Sequence, residues 1–132
     1  DVSVTVDNLI SGDVTLSKGT AGEAITASQV LYKKASDSKI YLADADAGSA
    51  ESTVVGIAIS NASLDETVQY QTSGTIDIGG TVTKGLIYVL SGTAGGVAPS
   101  ADLASGDYTS ILGVASSSSQ IALSLNNSGV LQ

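Results

Sequence analysis

The sequence predicts an all-β fold: a small β-barrel or sandwich built from two pseudo-repeats, preceded by an N-terminal arm strand. Helical periodicity is nearly absent, since no stretch keeps apolar residues at i, i+3, i+4 and i+7 over three turns. Short alternating or β-branched runs take its place, separated by Gly, Ser, Asn and Asp clusters. The chain also repeats itself. Residues 54–58 (Val-Val-Gly-Ile-Ala) are answered by 111–115 (Ile-Leu-Gly-Val-Ala), and 22–26 by 79–83, both at an interval of 57. Tyr32 is answered by Tyr88 at 56, and residues 68–74 by 123–129 at 55. Matches in one order at nearly one period indicate two copies of a structural unit, about 22–74 and 79–129.

Taken in order, Val2, Val4 and Val6 alternate cleanly with polar residues and open an arm or extra strand within residues 1–20. A second short strand is expected at 14–16. The first copy supplies strands at 29–33, 39–43, 54–59 and 67–72. The segments 75–78, 86–90, 110–115 and 120–125 complete a set of ten, within a β domain spanning 21–132. Ser36-Asp37-Ser38 separates two Tyr-bearing strands as a hairpin turn. Gly92, Gly95 and Gly96 make a flexible turn at the equivalent place in the second copy. Pro99, the sole proline, sits beside that turn, where no ladder donor is lost.

The composition excludes several classes of function. The net charge is −8, and the five cationic residues are all Lys, so no basic patch exists to displace phosphate counterions. Nucleic acid is therefore not an expected partner. Without His or Cys, a Ser/His/Asp triad, thiolate chemistry and His- or Cys-ligated metals are ruled out. No apolar run approaches the ~20 residues of a spanning helix, and no membrane partner is expected. Mean hydropathy is +0.29 with only 14% charged residues, so the surface is largely Ser, Thr, Gly and Ala.

What chemistry remains is sparse. Asp102 and Asp107 form a carboxylate pair, but both fall in a Ser/Gly-rich polar segment and read as solvated acids. Asp44, Asp46 and Glu51 have alternating oxygen ligands of the kind that wrap Ca²⁺. Gly48 and Glu51, however, stand at positions five and eight where an EF-hand needs six and twelve. The Gly92–Gly96 turn lacks the Lys-Ser/Thr ending of a phosphate-cradling loop. Lys33-Lys34 reads as a solvated hairpin flank, and Asn61-Ala-Ser63 fits the glycan-acceptor pattern. No catalytic residue, metal site or cofactor is expected. An uncovered apolar strand is a liability unless something pairs with it or packs over it. Val2, Val4, Val6, Leu9 and Ile10 are therefore the candidate interface, an arm that completes its own sheet or docks on a neighbour.

Gly22-Glu23-Ala24-Ile25-Thr26-Ala27, Val30-Leu31-Tyr32, the run 41–46 and Val54-Val55-Gly56-Ile57-Ala58 resemble the small capsid decoration (cement) proteins of tailed bacteriophages. The resemblance covers about residues 19–75 and returns more weakly over 79–129. Ser28 stands where that family often has Gly, and the second copy makes the chain longer than the simplest members. The resemblance implies a β-barrel-like domain that forms a homo-oligomer, with a trimer favoured, on the outer capsid surface of the virion. There it would contact the major capsid protein, bridge capsomers and resist internal DNA pressure without catalysis. A head- or tail-fibre attachment module, or a receptor- or glycan-binding β module, is the alternative. An exposed Tyr platform would be its mark.

Overall fold

The computed structural model describes residues 14–46, 48, 50–78, 82–92, 94–102 and 106–131, with 127–131 described by their backbone alone. The arm residues Val2, Val4, Val6, Leu9 and Ile10 lie outside the described residues. Nine strands follow one another: β1 (Thr15–Thr20), β2 (Val30–Lys33), β3 (Ile40–Leu42), β4 (Val54–Ala58), β5 (Thr67–Asp77), β6 (Ile87–Leu90), β7 (Val97–Pro99), β8 (Tyr108–Ala115) and β9 (Gln120–Leu131). Among the described residues a single 3-10 turn, Ser100–Asp102, interrupts them. They form one antiparallel sheet in the order β3-β2-β4-β5-β9-β8-β6-β7, with β1 also paired to β5. The all-β class expected from the sequence is what the chain adopts.

β1 and β9 run on past the expected 14–16 and 120–125, and two differences change the set of strands. The segments 67–72 and 75–78 are one strand, because Gly74 takes a φ of 88° and lets β5 continue where a side chain would be strained. The second is β7, which the sequence reading omitted. Its Pro99 pairs with Tyr88 on the outermost strand, where a missing N–H costs no ladder bond.

The repeat is visible in the ladders. β2 pairs with β3 and β4, and β4 with β5; β6 pairs with β7 and β8, and β8 with β9. Each unit carries a bulge at the same place. Leu31 faces Gly56 and Tyr32 faces Val54, leaving Val55 extra. Tyr88 faces Gly113 and Val89 faces Ile111, leaving Leu112 extra. Tyr88 therefore corresponds to Leu31, not to Tyr32. In the last strands, Tyr70 (opposite Ala58) corresponds to Ile121 (opposite Ala115), an interval shortened by the tighter β8–β9 turn. The shared glycines have a steric cause. A Cβ at Gly56 would lie 2.6 Å from the Gln71 carbonyl oxygen, and one at Gly113 2.0 Å from that of Ala122, the corresponding residue.

Directly paired residues share a face of the sheet, so the registers show how it curls. On the front of the first unit, Leu31, Ala58, Val68 and Tyr70 pack with Ala21, Ile25, Ile40 and Ala62. A bridge between Ala21 and Ile40 brings the end of β1 to β3, so the first unit closes on its own front. On the front of the second unit, Tyr88, Leu112, Ala115, Ile121 and Leu123 pack on Val30, Tyr32, Val54 and Ile57. Those four belong to the back of the first unit. The sheet is thus rolled like a scroll: the first unit is the inner turn and the second lies over its back.

Candidate functional site

The acidic segment 44–51, the Gly-rich turn 91–96 and the segment before β8 differ between the units, and the roll brings them together. The Gly95 N–H donates to the Ala43 carbonyl (2.6 Å), Ala45 N–H to Ser91 (3.0 Å) and Tyr108 N–H to Ala45 (2.8 Å). The buried Ser110 hydroxyl donates to the Ser52 carbonyl and ties β8 to the first unit. These backbone bonds leave Gly92 beside two carboxylates. A Cβ there would lie 3.4 Å from Asp107 Oδ1 and 3.5 Å from Asp46 Oδ2. Burial, then a hydrogen bond to Asp46 and the charges of Asp46 and Asp107, holds the Asp44 carboxyl above its ordinary range. Among the described residues, no three acidic side chains converge in a way that could hold a metal ion. Asp107 is buried, whereas Asp102 is exposed on the 3-10 turn.

A second polar cluster stiffens the β2–β3 hairpin. The Tyr41 hydroxyl donates to Asp37 Oδ2 (2.6 Å), and the Lys39 N–H donates to Asp37 Oδ1 (3.0 Å). The hydroxyl bond, then the backbone bond, lowers the Asp37 carboxyl. The same hydroxyl bond pushes the Tyr41 phenol up to about 12. Lys34 Nζ stands 5.0 Å from the centre of the Tyr41 ring, and Lys39 Nζ pairs with Asp65 at 2.7 Å. Lys34 of the basic pair thus stands against a tyrosine of its own hairpin. Tyr32, Tyr70 and Tyr88 are buried, which leaves Tyr41 and Tyr108 partly exposed on different elements. Asn61 Oδ1 accepts the Ala27 N–H (2.8 Å), so the amide of the glycan-acceptor pattern already holds the 21–28 segment.

The back of the second unit is the apolar surface that the sequence reading missed. Thr75, Ala122, Val114 and Ile87 form one row across β5, β9, β8 and β6. Ile87 is 45% exposed and Val114 43% exposed. The corresponding pair in the first unit, Val30 and Ile57, is fully buried. The 57-residue interval already contained this correspondence. Which copy would be covered depends on the roll, and no local pattern encodes that.

No protein-family model matches the chain, and no curated protein matches it. Among solved structures, the chain is similar to the head fiber gp8.5 N base of bacteriophage phi29. The TM-score is 0.55 at 15% identity, over 91% of this chain and 100% of that one. At this identity the likeness is one of fold, and its 91% coverage is more than either unit alone could supply.

Proposed function

We propose that this chain is a structural protein of a tailed-phage virion that binds the outside of the capsid and stabilises it. The observation that carries the reading is the fold shared, over nearly the whole chain, with the base of a phage head fiber. The acidic surface agrees with it, as does a repeat whose shared residues are aliphatic or Gly and serve the bulge and the core. The partner is the major capsid protein, and the bound form is a homo-oligomer whose several weak contacts sum to firm attachment. No catalytic step is part of the proposal. A fiber-base role is the second reading, favoured by the same structural neighbour.

Purified chain mixed with capsids that lack it is expected to co-sediment saturably and to appear as ordered density over the capsomers. A decoration role also predicts that bound capsids retain DNA to a higher temperature. A fiber-base role predicts binding without that gain. Absence of binding at saturating concentration would remove both readings.

A further inference from the structure

β1 is held on one side alone. Its residues pair with β5 from Thr15 to Thr20, and among the described residues no strand lies along its other edge. The ladder shows which of its backbone groups point outward. The Ala21 N–H donates to the Glu66 carbonyl at 2.8 Å, which continues the β1–β5 pairing by one residue. Bonded pairs alternate along an antiparallel ladder, so Gly19 and Ser17 turn their N–H and C=O groups inward as well. β5 agrees, because its Gln69 carbonyl points the other way and accepts the Ile59 N–H just past β4. The N–H and C=O groups of Leu16, Lys18 and Thr20 therefore point away from β5. Thr20 lies where the Ala21–Ile40 bridge brings in β3. Leu16 and Lys18 are left facing outward. Both ends of the sheet are guarded, since β7 carries Pro99 and β3 is met by Ala21. β1 has no proline, and Val14 and Leu16 are 48% and 50% exposed. Such an edge is a template for another strand.

Charge and symmetry point to the occupant. The chain carries a net charge of −8, yet across 14–22 and 67–76 the sole charged residue is Lys18. A second copy can approach this edge without setting carboxylate against carboxylate. We propose that two copies of this chain join edge to edge through β1, antiparallel, about a two-fold axis at Ser17. Leu16 of one copy then faces Lys18 of the other, and each such pair exchanges both of its N–H···O bonds. The Lys18 stem lies along the Leu16 side chain with its ammonium in water. A register centred on Lys18 would instead set two cations directly opposite, which is destabilising. The joined edges make one continuous sheet that runs through both copies, from β5 and β1 into β1 and β5 of the second. The inference deepens the homo-oligomer of the capsid reading and is tested on the free chain, so capsid binding stands or falls separately.

The chain has no cysteine, so a single introduced thiol reports this contact. The two Ser17 residues form a pair of the non-bonded kind, with Cα atoms ~4.5 Å apart, within reach of a disulfide. Mild oxidation of full-length Ser17→Cys is expected to link most chains in pairs. The exposed control Ser118→Cys is expected to give about a tenth as much or less, because bridging needs the Cα atoms within about 7 Å. Adding Lys18→Pro to Ser17→Cys is expected to lower cross-linking to the control level. Proline there removes an outward N–H alone, so β1 keeps its bonds to β5 and the thermal unfolding midpoint stays close to that of the parent. Adding Lys18→Ala, which keeps the N–H, is expected to leave cross-linking as it was. Sedimentation of the unmodified chain should give a mass that rises with concentration toward that of two chains. Cross-linking of Ser17→Cys no better than the control overturns the proposal, as does cross-linking that survives Lys18→Pro or is lost with Lys18→Ala. A monomer at every concentration, or a trimer in which Ser17→Cys forms no disulfide, overturns it equally.

Discussion

Ser28 shows how a single residue can carry a cost that the sequence only hints at. Its φ is 78°, in the left-handed region that favours glycine, and its N–H donates to the Ala58 carbonyl at 2.7 Å. A glycine would adopt this conformation without the strain that a Cβ brings. Ser28→Gly is expected to raise the unfolding free energy by about 1 kcal/mol, read from urea denaturation. Tyr41 gives a second test. Its phenol is raised because the neutral hydroxyl donates to Asp37. The associated stability is therefore fully present below the ordinary phenol pKa of about 10 and is lost as pH rises toward 12. Ultraviolet titration should show one phenolate forming near 12, and Asp37→Asn should bring it back toward 10. The hairpin turn itself was legible in Ser36-Asp37-Ser38. The hydroxyl partner was not, because a turn motif does not say which neighbouring side chain its carboxylate will accept.

At the scale of elements, the matched runs 54–58 and 111–115 were legible because their cause is local and steric. Both glycines sit opposite a bulge, with the carbonyl of the next strand where a Cβ would go. Gly113→Ala is expected to destabilise by about 1–3 kcal/mol through displacement of β9, and Gly56→Ala by a similar or smaller amount. Thermal or urea unfolding of the two variants checks the order. The continuity of β5 was not legible. A glycine inside an alternating pattern reads as a break, and only the pairing of β5 with β1 on one edge up to Ser73 and with β9 on the other from Ser73 onward shows that the strand runs through it. The Tyr32–Tyr88 match misled for a related reason. Identical residues one position out of register suggested equivalence, and the bulge pairing assigns Leu31 instead.

For the whole molecule, the sequence supplied two similar units but not their roles as inner and outer turn. Val30 and Ile57 are no more apolar than Ile87 and Val114; what separates them is which back another sheet covers. β4 feeds both clusters, with Ile57 in one and Ala58 in the other. Ile57→Ala should therefore cost about 2–5 kcal/mol and lower the midpoint of the entire chain in one step. Far-ultraviolet circular dichroism and tyrosine fluorescence should give coincident unfolding curves. Separate transitions for the two units would show that they are independent bodies.

The attachment of β1 and β9 to opposite edges of β5 has a mechanical consequence. All six residues of β1 are paired along β5, and the chain enters at Thr15, next to Ser73. A pull on the incoming chain in line with β5 loads those pairs in parallel, as a shear, rather than opening them one after another. β9, on the other edge, leaves β5 at Ser73. Beyond Ser124 it follows β8 alone as far as Leu131. Tension arriving through the N-terminus is thus borne by the inner turn of the scroll, while the outer turn carries none of it directly. A tether at that end would hold against drag while leaving the outer sheet at rest.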